Sequence, residues 1–186
     1  KMSVTKAEGY ALHISKDYGT YSFIGIDGCP KLGITRPFNF FAYLDNNDMD
    51  FLETNSNAYF YKNNQSNLNR NPSNHTFVMA HYPTATMLFG TTSSGKNFDM
   101  LAHHFSIWLS GHLHRLFAGL GNKMYAYHDD SDLLELEVAD MKDHGIFRLI
   151  VIDNDMLSFK DISLDYDLPH LNSFDLKQNP IIDASK

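Results

Sequence analysis

The apolar positions of this chain come in short runs rather than in long helical stripes. "TYSFIGIDG" (Thr20–Gly28) mixes aromatic and β-branched residues and stops at Asp-Gly, the pattern of a buried strand. "HTFVMAHYP" (His75–Pro83) is a second such run, halted by proline, and its end delivers His81. "SIWLSGHLH" (Ser106–His114) reads as a strand followed by a turn that carries His112 and His114. "KMYAYHD", "LLELEVAD", "GIFRLIVIDN" and "MLSFKDISL" follow as further strand candidates, with alternation clearest over Leu134–Val138. Helical spacing is confined to two places. One is the first part of Leu44–Tyr61, where Asp45 stands at an N-cap position and Met49, Leu52 and Phe60 recur near helical spacing. The other is "GKNFDMLAHHFS". Between these lie a Gly- and Pro-bearing loop (Cys29–Phe41) and an Asn-rich surface loop over 62–75. The opening residues show no clear first element, and the tail over 165–186 is polar. The pattern predicts an α/β chain, heavier in strand toward its C-terminus, without an internal repeat.

Composition narrows this picture. A chain of 186 residues with 43% hydrophobic and 13% aromatic content is long enough and apolar enough for one compact domain. Its formal charge of −7 argues against a nucleic-acid partner, which needs a basic face to displace counterions. The single cysteine, Cys29, excludes an internal disulfide and any site built from several thiolates. No apolar run reaches the length of a membrane span, and no charged-then-apolar signal sequence opens the chain. The sequons at Asn64 and Asn74 are compatible with a lumenal or extracellular location and a membrane-associated parent, without establishing either.

Two motifs bear on chemistry. "GTTSSGKN" (Gly90–Asn97) is close to a phosphate-binding loop, but Asn97 stands where a hydroxyl should meet magnesium, and no clear strand precedes it. A flexible Ser/Gly loop is the simpler reading. The histidines are the stronger signal. Residues i and i+2 of an extended segment share a face, so His112 and His114 can reach into one cavity or onto two neighbouring ions. Gly111 lets the backbone come close to such a ligand. Neutral imidazole suits Zn, Mn, Fe and Ni. A lone strand-end histidine such as His81 is more simply a hydrogen-bonded, half-buried residue; beside the G-H-x-H pair, a metal role is favoured. Arg36 could meet a phosphate, although a surface arginine beside Pro37 is the plainer reading. His103 and His104 are adjacent in a predicted helix and face different ways, a poor chelating pair.

A lone histidine at a strand end followed by strand-G-H-x-H resembles the second half of calcineurin-like metallophosphoesterases. The blocks "YSFIGIDG", "RPFNFFAYLD", "NHTFVMAHYPTAT", "LSGHLH" and "LLELEVADMKD" together resemble, within that superfamily, the transmembrane protein 62 group. The resemblance implies a domain of two packed β-sheets flanked by helices, of which residues 1–164 supply the C-terminal part and residues 165–186 a polar tail or the start of the next region. It implies that His81 and His112 bind one divalent ion and His114 a second, in a centre where two ions about 3.5–4 Å apart drive hydrolysis of a phosphoester substrate. The family's three earlier blocks, D-x-H, G-D-x-x-D and G-N-H-[DE], are absent from this sequence, and Asp27-Gly28 and Asp129-Asp130 do not replace them. With them go the bridging carboxylate and the leaving-group acid. The expectation is a chain that begins after those blocks, binds at most one ion by itself and needs the N-terminal half of its domain as partner. The alternative is a non-catalytic module that keeps the fold within a larger assembly. The family carries membrane helices after its catalytic region; this chain has none.

Overall fold

The computed structural model describes residues 9–29, 41–56, 72–112, 125–139, 141, 145–164 and 182–183. The chain falls into two compact units, Lys1–Ser110 with Tyr125–Leu136, and Gly111–Met124 with Glu137–Lys186. Sheets dominate and helices are few, so the chain is mixed α/β.

The first unit is built on a sheet in the order β1-β2-β4-β6-β8-β7. Its strands are β1 (Gly9–Lys16), β2 (Gly19–Ile26), β4 (His75–Met79), β6 (Ile107–Ser110), β7 (Tyr125–His128) and β8 (Leu133–Glu137). β2, β4 and β6 run parallel to one another, while β1 and β7 are antiparallel additions at the two flanks. The parallel register sets Ile24 opposite Val78 and Val78 opposite Trp108, three residues with no exposed surface. That row packs with Leu44, Met49, Leu52 and Leu101 into the core. Parallel strands covered by such packing read as continuous apolar runs, which is why these three are visible in the sequence.

Two helices and a small sheet contribute the rest of that core. α1 (Asn46–Asn55) starts where the sequence predicts, because Asp45 and Asp48 form a capping box. The Asp45 carboxylate accepts the N–H groups of Asn47 and Asp48 at 2.8 and 3.0 Å, and Asp48 accepts the N–H of Asp45 at 3.0 Å. Met49 and Leu52 point into the core as their spacing requires. Phe60 lies outside the described residues. α2 (Phe98–Ala102) is a short helix capped by Asn97, whose oxygen accepts the Met100 N–H at 3.0 Å. The parallel pair β3 (Ala42–Leu44) and β5 (Met87–Phe89) adds Leu44 and Met87 to the core.

Three features differ from the sequence expectation. The opening does contain a strand, β1, whose alternation of Tyr10, Leu12 and Ile14 with smaller or polar residues is that of a one-sided edge strand. The loop at Gly90 is preceded by a strand, β5, although one of only three residues. β8 does not alternate in exposure, since all five of its residues are buried. Its glutamate Glu135 is retained inside because Thr84 donates both its N–H (2.8 Å) and its hydroxyl (2.5 Å) to the carboxylate, and His128 Nε2 lies 2.9 Å away.

The second unit contains the hairpin β9 (Ile146–Asp153) and β10 (Met156–Ser163), with the two-residue strand β11 (Ile182–Asp183) paired to β10. Asn154 and Asp155 turn the hairpin with φ of 50° and 59°, the left-handed pair that two-residue loops demand and that Asn and Asp tolerate. Arg148 grips Asp161 across the strands, with one N–H···O contact at 2.7 Å, and lies 4.9 Å from the centre of the Phe159 ring. Among the described residues, no helix is long and apolar enough to cross a membrane.

Candidate functional site

His81 lies two residues beyond β4, in a turn fastened from within the core. The Ala80 N–H donates to the Leu109 carbonyl at 2.9 Å, extending the ladder past the strand. The next residue, Tyr82, is buried; its ring meets the His81 imidazole edge-on, with centres 4.9 Å apart. The buried Trp108 donates its indole N–H to the Tyr82 carbonyl at 3.1 Å. Two residues further, Glu135 takes the Thr84 donors described above. The exposed imidazole is thereby carried on a backbone that buried partners hold in place.

An open cavity of about 600 Å³ adjoins it, lined by Gly9, Tyr10, Gly25, Ile26, Asp27, Met79, Ala80 and His81. It sits where β2 and β4 end, the position at which open parallel sheets present their ligand crevices. Gly25 leaves room for the Tyr10 ring, which crosses the strand at this point: a Cβ would fall 2.3 Å from it, so a larger residue would displace that exposed ring. Asp27 follows β2 directly, and its Oδ1 accepts the Cys29 N–H at 2.9 Å. Burial, followed by the adjacent Asp27 carboxylate, pushes the Cys29 thiol above its ordinary pKa and keeps it protonated. The cavity therefore offers an imidazole nitrogen and a carboxylate oxygen, a donor set that suits a first-row divalent cation. The sequence offers Asp27 only as a residue that does not replace the missing ligand blocks, and Tyr10 not at all, because strand register is what brings them beside His81.

The chain is similar to Transmembrane protein 62 of Mus musculus. The two are 34% identical over 166 residues, which is 89% of this chain and 23% of that protein. The chain thus spans under a quarter of the length of the curated relative it matches. No family model matches the chain, and no solved structure does.

The remaining sequence candidates distribute as follows. His112 is two residues past β6 and belongs to the second unit, where Gly111 comes near Val138. A Cβ on Gly111 would meet Val138 at an ordinary 3.9 Å, so packing among the described residues does not demand glycine there. His114, Arg36 and Asn64 lie outside the described residues. Asn74 is exposed, and its side-chain oxygen accepts the Thr20 N–H at 2.8 Å, while Thr76 of the same sequon is buried. The P-loop-like segment spends its donors on α1. Ser93 donates to Asp50, Ser94 donates to Glu53, and Lys96 Nζ lies 3.0 Å from Glu53. Those contacts staple a loop to a helix and leave no cradle of the phosphate-binding kind. His103 caps the C-terminal end of α2, with His104 beyond it. Among the described residues, no group of three or more His, Cys, Asp or Glu is placed to hold a metal ion.

Proposed function

We propose that the chain is the C-terminal part of a calcineurin-like metallophosphoesterase domain. Within it, His81, His112 and His114 are metal ligands, and Arg36 is a weaker candidate for contact with the phosphoester. The observation that supports the reading is the position of His81 just beyond the end of the parallel strand β4, beside an open cavity, in a chain similar to Transmembrane protein 62. Divalent cations in such a centre supply charge that polarises a phosphoryl oxygen. The chain's own part is to hold imidazoles in fixed orientation, which the Trp108 and Glu135 contacts around the His81 turn support. The metal, whether Mn, Fe, Zn or Ni, is set by geometry and availability.

The domain's other half is its partner in this reading, and the complete fold is a β-sandwich. A surface suited to that role is present on the outer strand β1, where Tyr10 and Leu12 are 61% and 53% exposed on the face that also carries Phe23 and Phe77. A long apolar edge strand of this kind invites pairing or cover.

The isolated chain is expected to bind at most one ion, weakly, and to hydrolyse nothing. The whole protein is expected to hydrolyse a phosphodiester such as bis-p-nitrophenyl phosphate with added Mn²⁺, and His81→Ala to lower that rate by about a hundredfold or more. Robust turnover by the 186-residue chain alone would sink the division of labour. A whole protein that neither binds metal nor turns over would favour the non-catalytic module instead.

A further inference from the structure

We propose that Asp27 binds a divalent cation together with His81, as the carboxylate of a two-residue site at the ends of β2 and β4. The inference rests on the metal reading of His81 and adds a ligand that the family's blocks do not contain. Its basis is register. β2 and β4 are parallel, with Gly25 opposite Met79. Asp27 and His81 each stand two residues beyond that pair, so the chain delivers them at the same level from neighbouring strands. Both line the cavity of about 600 Å³, with Tyr10 as a neighbouring wall.

The chemistry of the pair is complementary. Imidazole is a borderline donor without charge; the carboxylate is a hard donor that offsets one positive charge of the ion. Three neutral imidazoles lack that compensation, and no carboxylate from the family's missing blocks is in this chain. The Asp27 oxygen that accepts the Cys29 N–H at 2.9 Å fixes the side chain in its turn, and although the Cys29 thiol also hydrogen-bonds this carboxylate, its two oxygens carry more lone pairs than those contacts use. The turn accounts for the first oxygen. It does not account for a carboxylate placed in the same cavity as His81. Two protein ligands with water completing the shell make a weak, exchangeable site, as expected of the isolated chain.

The test is isothermal titration of the full 186-residue chain with Mn²⁺ and with Zn²⁺, for wild type, Asp27→Asn, His81→Ala and Asp99→Asn. Asparagine keeps the oxygen that accepts from Cys29, so Asp27→Asn preserves the turn while removing the charge; thermal melts verify that each variant is folded. The expected result is a loss of about tenfold or more in affinity for both Asp27→Asn and His81→Ala, with Asp99→Asn unchanged. Wild-type affinity in Asp27→Asn alongside a loss in His81→Ala overturns the Asp27 assignment and leaves the His81 reading standing. A loss in Asp27→Asn alone overturns the pair and removes His81 from the site. No binding by the folded wild type overturns the two-residue site, and loss of metal from the whole protein as well overturns the proposed function.

Discussion

His104 is the residue whose protonation the structure perturbs most clearly on the acid side. Burial, then the positive charges of Lys96 and His103, hold its pKa below the ordinary 6.5. The folded state therefore favours the neutral ring. Its contribution to stability is present above pH 6.5 and is lost as pH falls through the folded-state midpoint, because the unfolded chain takes up that proton first. Proton NMR of the folded chain should give a His104 midpoint below 6.5, and Lys96→Met should move it upward. The urea midpoint should fall on acidification from about pH 7 to about pH 5, and less so in His104→Gln. A His104 midpoint at or above the ordinary value contradicts the assignment. Tyr127 is perturbed on the alkaline side, its hydroxyl bonded to Asp132 and its pKa pushed up to about 12. It stands exposed at the flank of the sheet, so its weight in stability is small.

At the scale of elements, the turn after β4 is the feature on which the site depends. Trp108→Phe removes the donor that satisfies the Tyr82 carbonyl and thins the core beneath it. A loss of about 0.5–1.5 kcal/mol is expected from the missing indole hydrogen bond, with a further loss from the vacated ring volume. The same variant should weaken Mn²⁺ binding at His81, whereas Ile24→Val should lower stability and leave binding alone; urea unfolding and metal titration separate the two effects. Equal metal affinity in Trp108→Phe would mean that the turn keeps its shape without the bond. The interior strands and α1 were legible in the sequence because their signals are local: apolar runs for β2, β4 and β6, and the Asp45 cap with Met49 and Leu52 for α1. β8 misled for a physical reason. Its alternating Leu and Glu suggest one wet face, but Thr84 and His128 satisfy Glu135 inside the protein. His81 was legible as a strand-end residue. Asp27 was not, since its neighbourhood is made by the pairing of distant segments and no spacing in the sequence encodes that register.

At the scale of the whole molecule, the division into two units is not legible either, because β8 runs through the boundary between Leu136 and Glu137. The reading of the chain as one part of a larger domain makes β1 the face to probe. Tyr10 and Leu12 leave an apolar patch on an outermost strand. Leu12→Lys should reduce self-association of the isolated chain in light scattering while changing stability by no more than about 0.5 kcal/mol, as for most exposed positions. Unchanged association would relieve this face of the liability.

The crossing of Tyr10 over Gly25 has one more consequence. Asp27 and His81 follow interior strands, whereas the aromatic wall beside them rides on β1, which is hydrogen-bonded to β2 and outermost in its sheet. Substitution at Tyr10 would therefore reshape the wall without disturbing either polar group. The width of the cavity and the placement of its polar groups are thereby assigned to different strands, and each can be altered by mutation without the other.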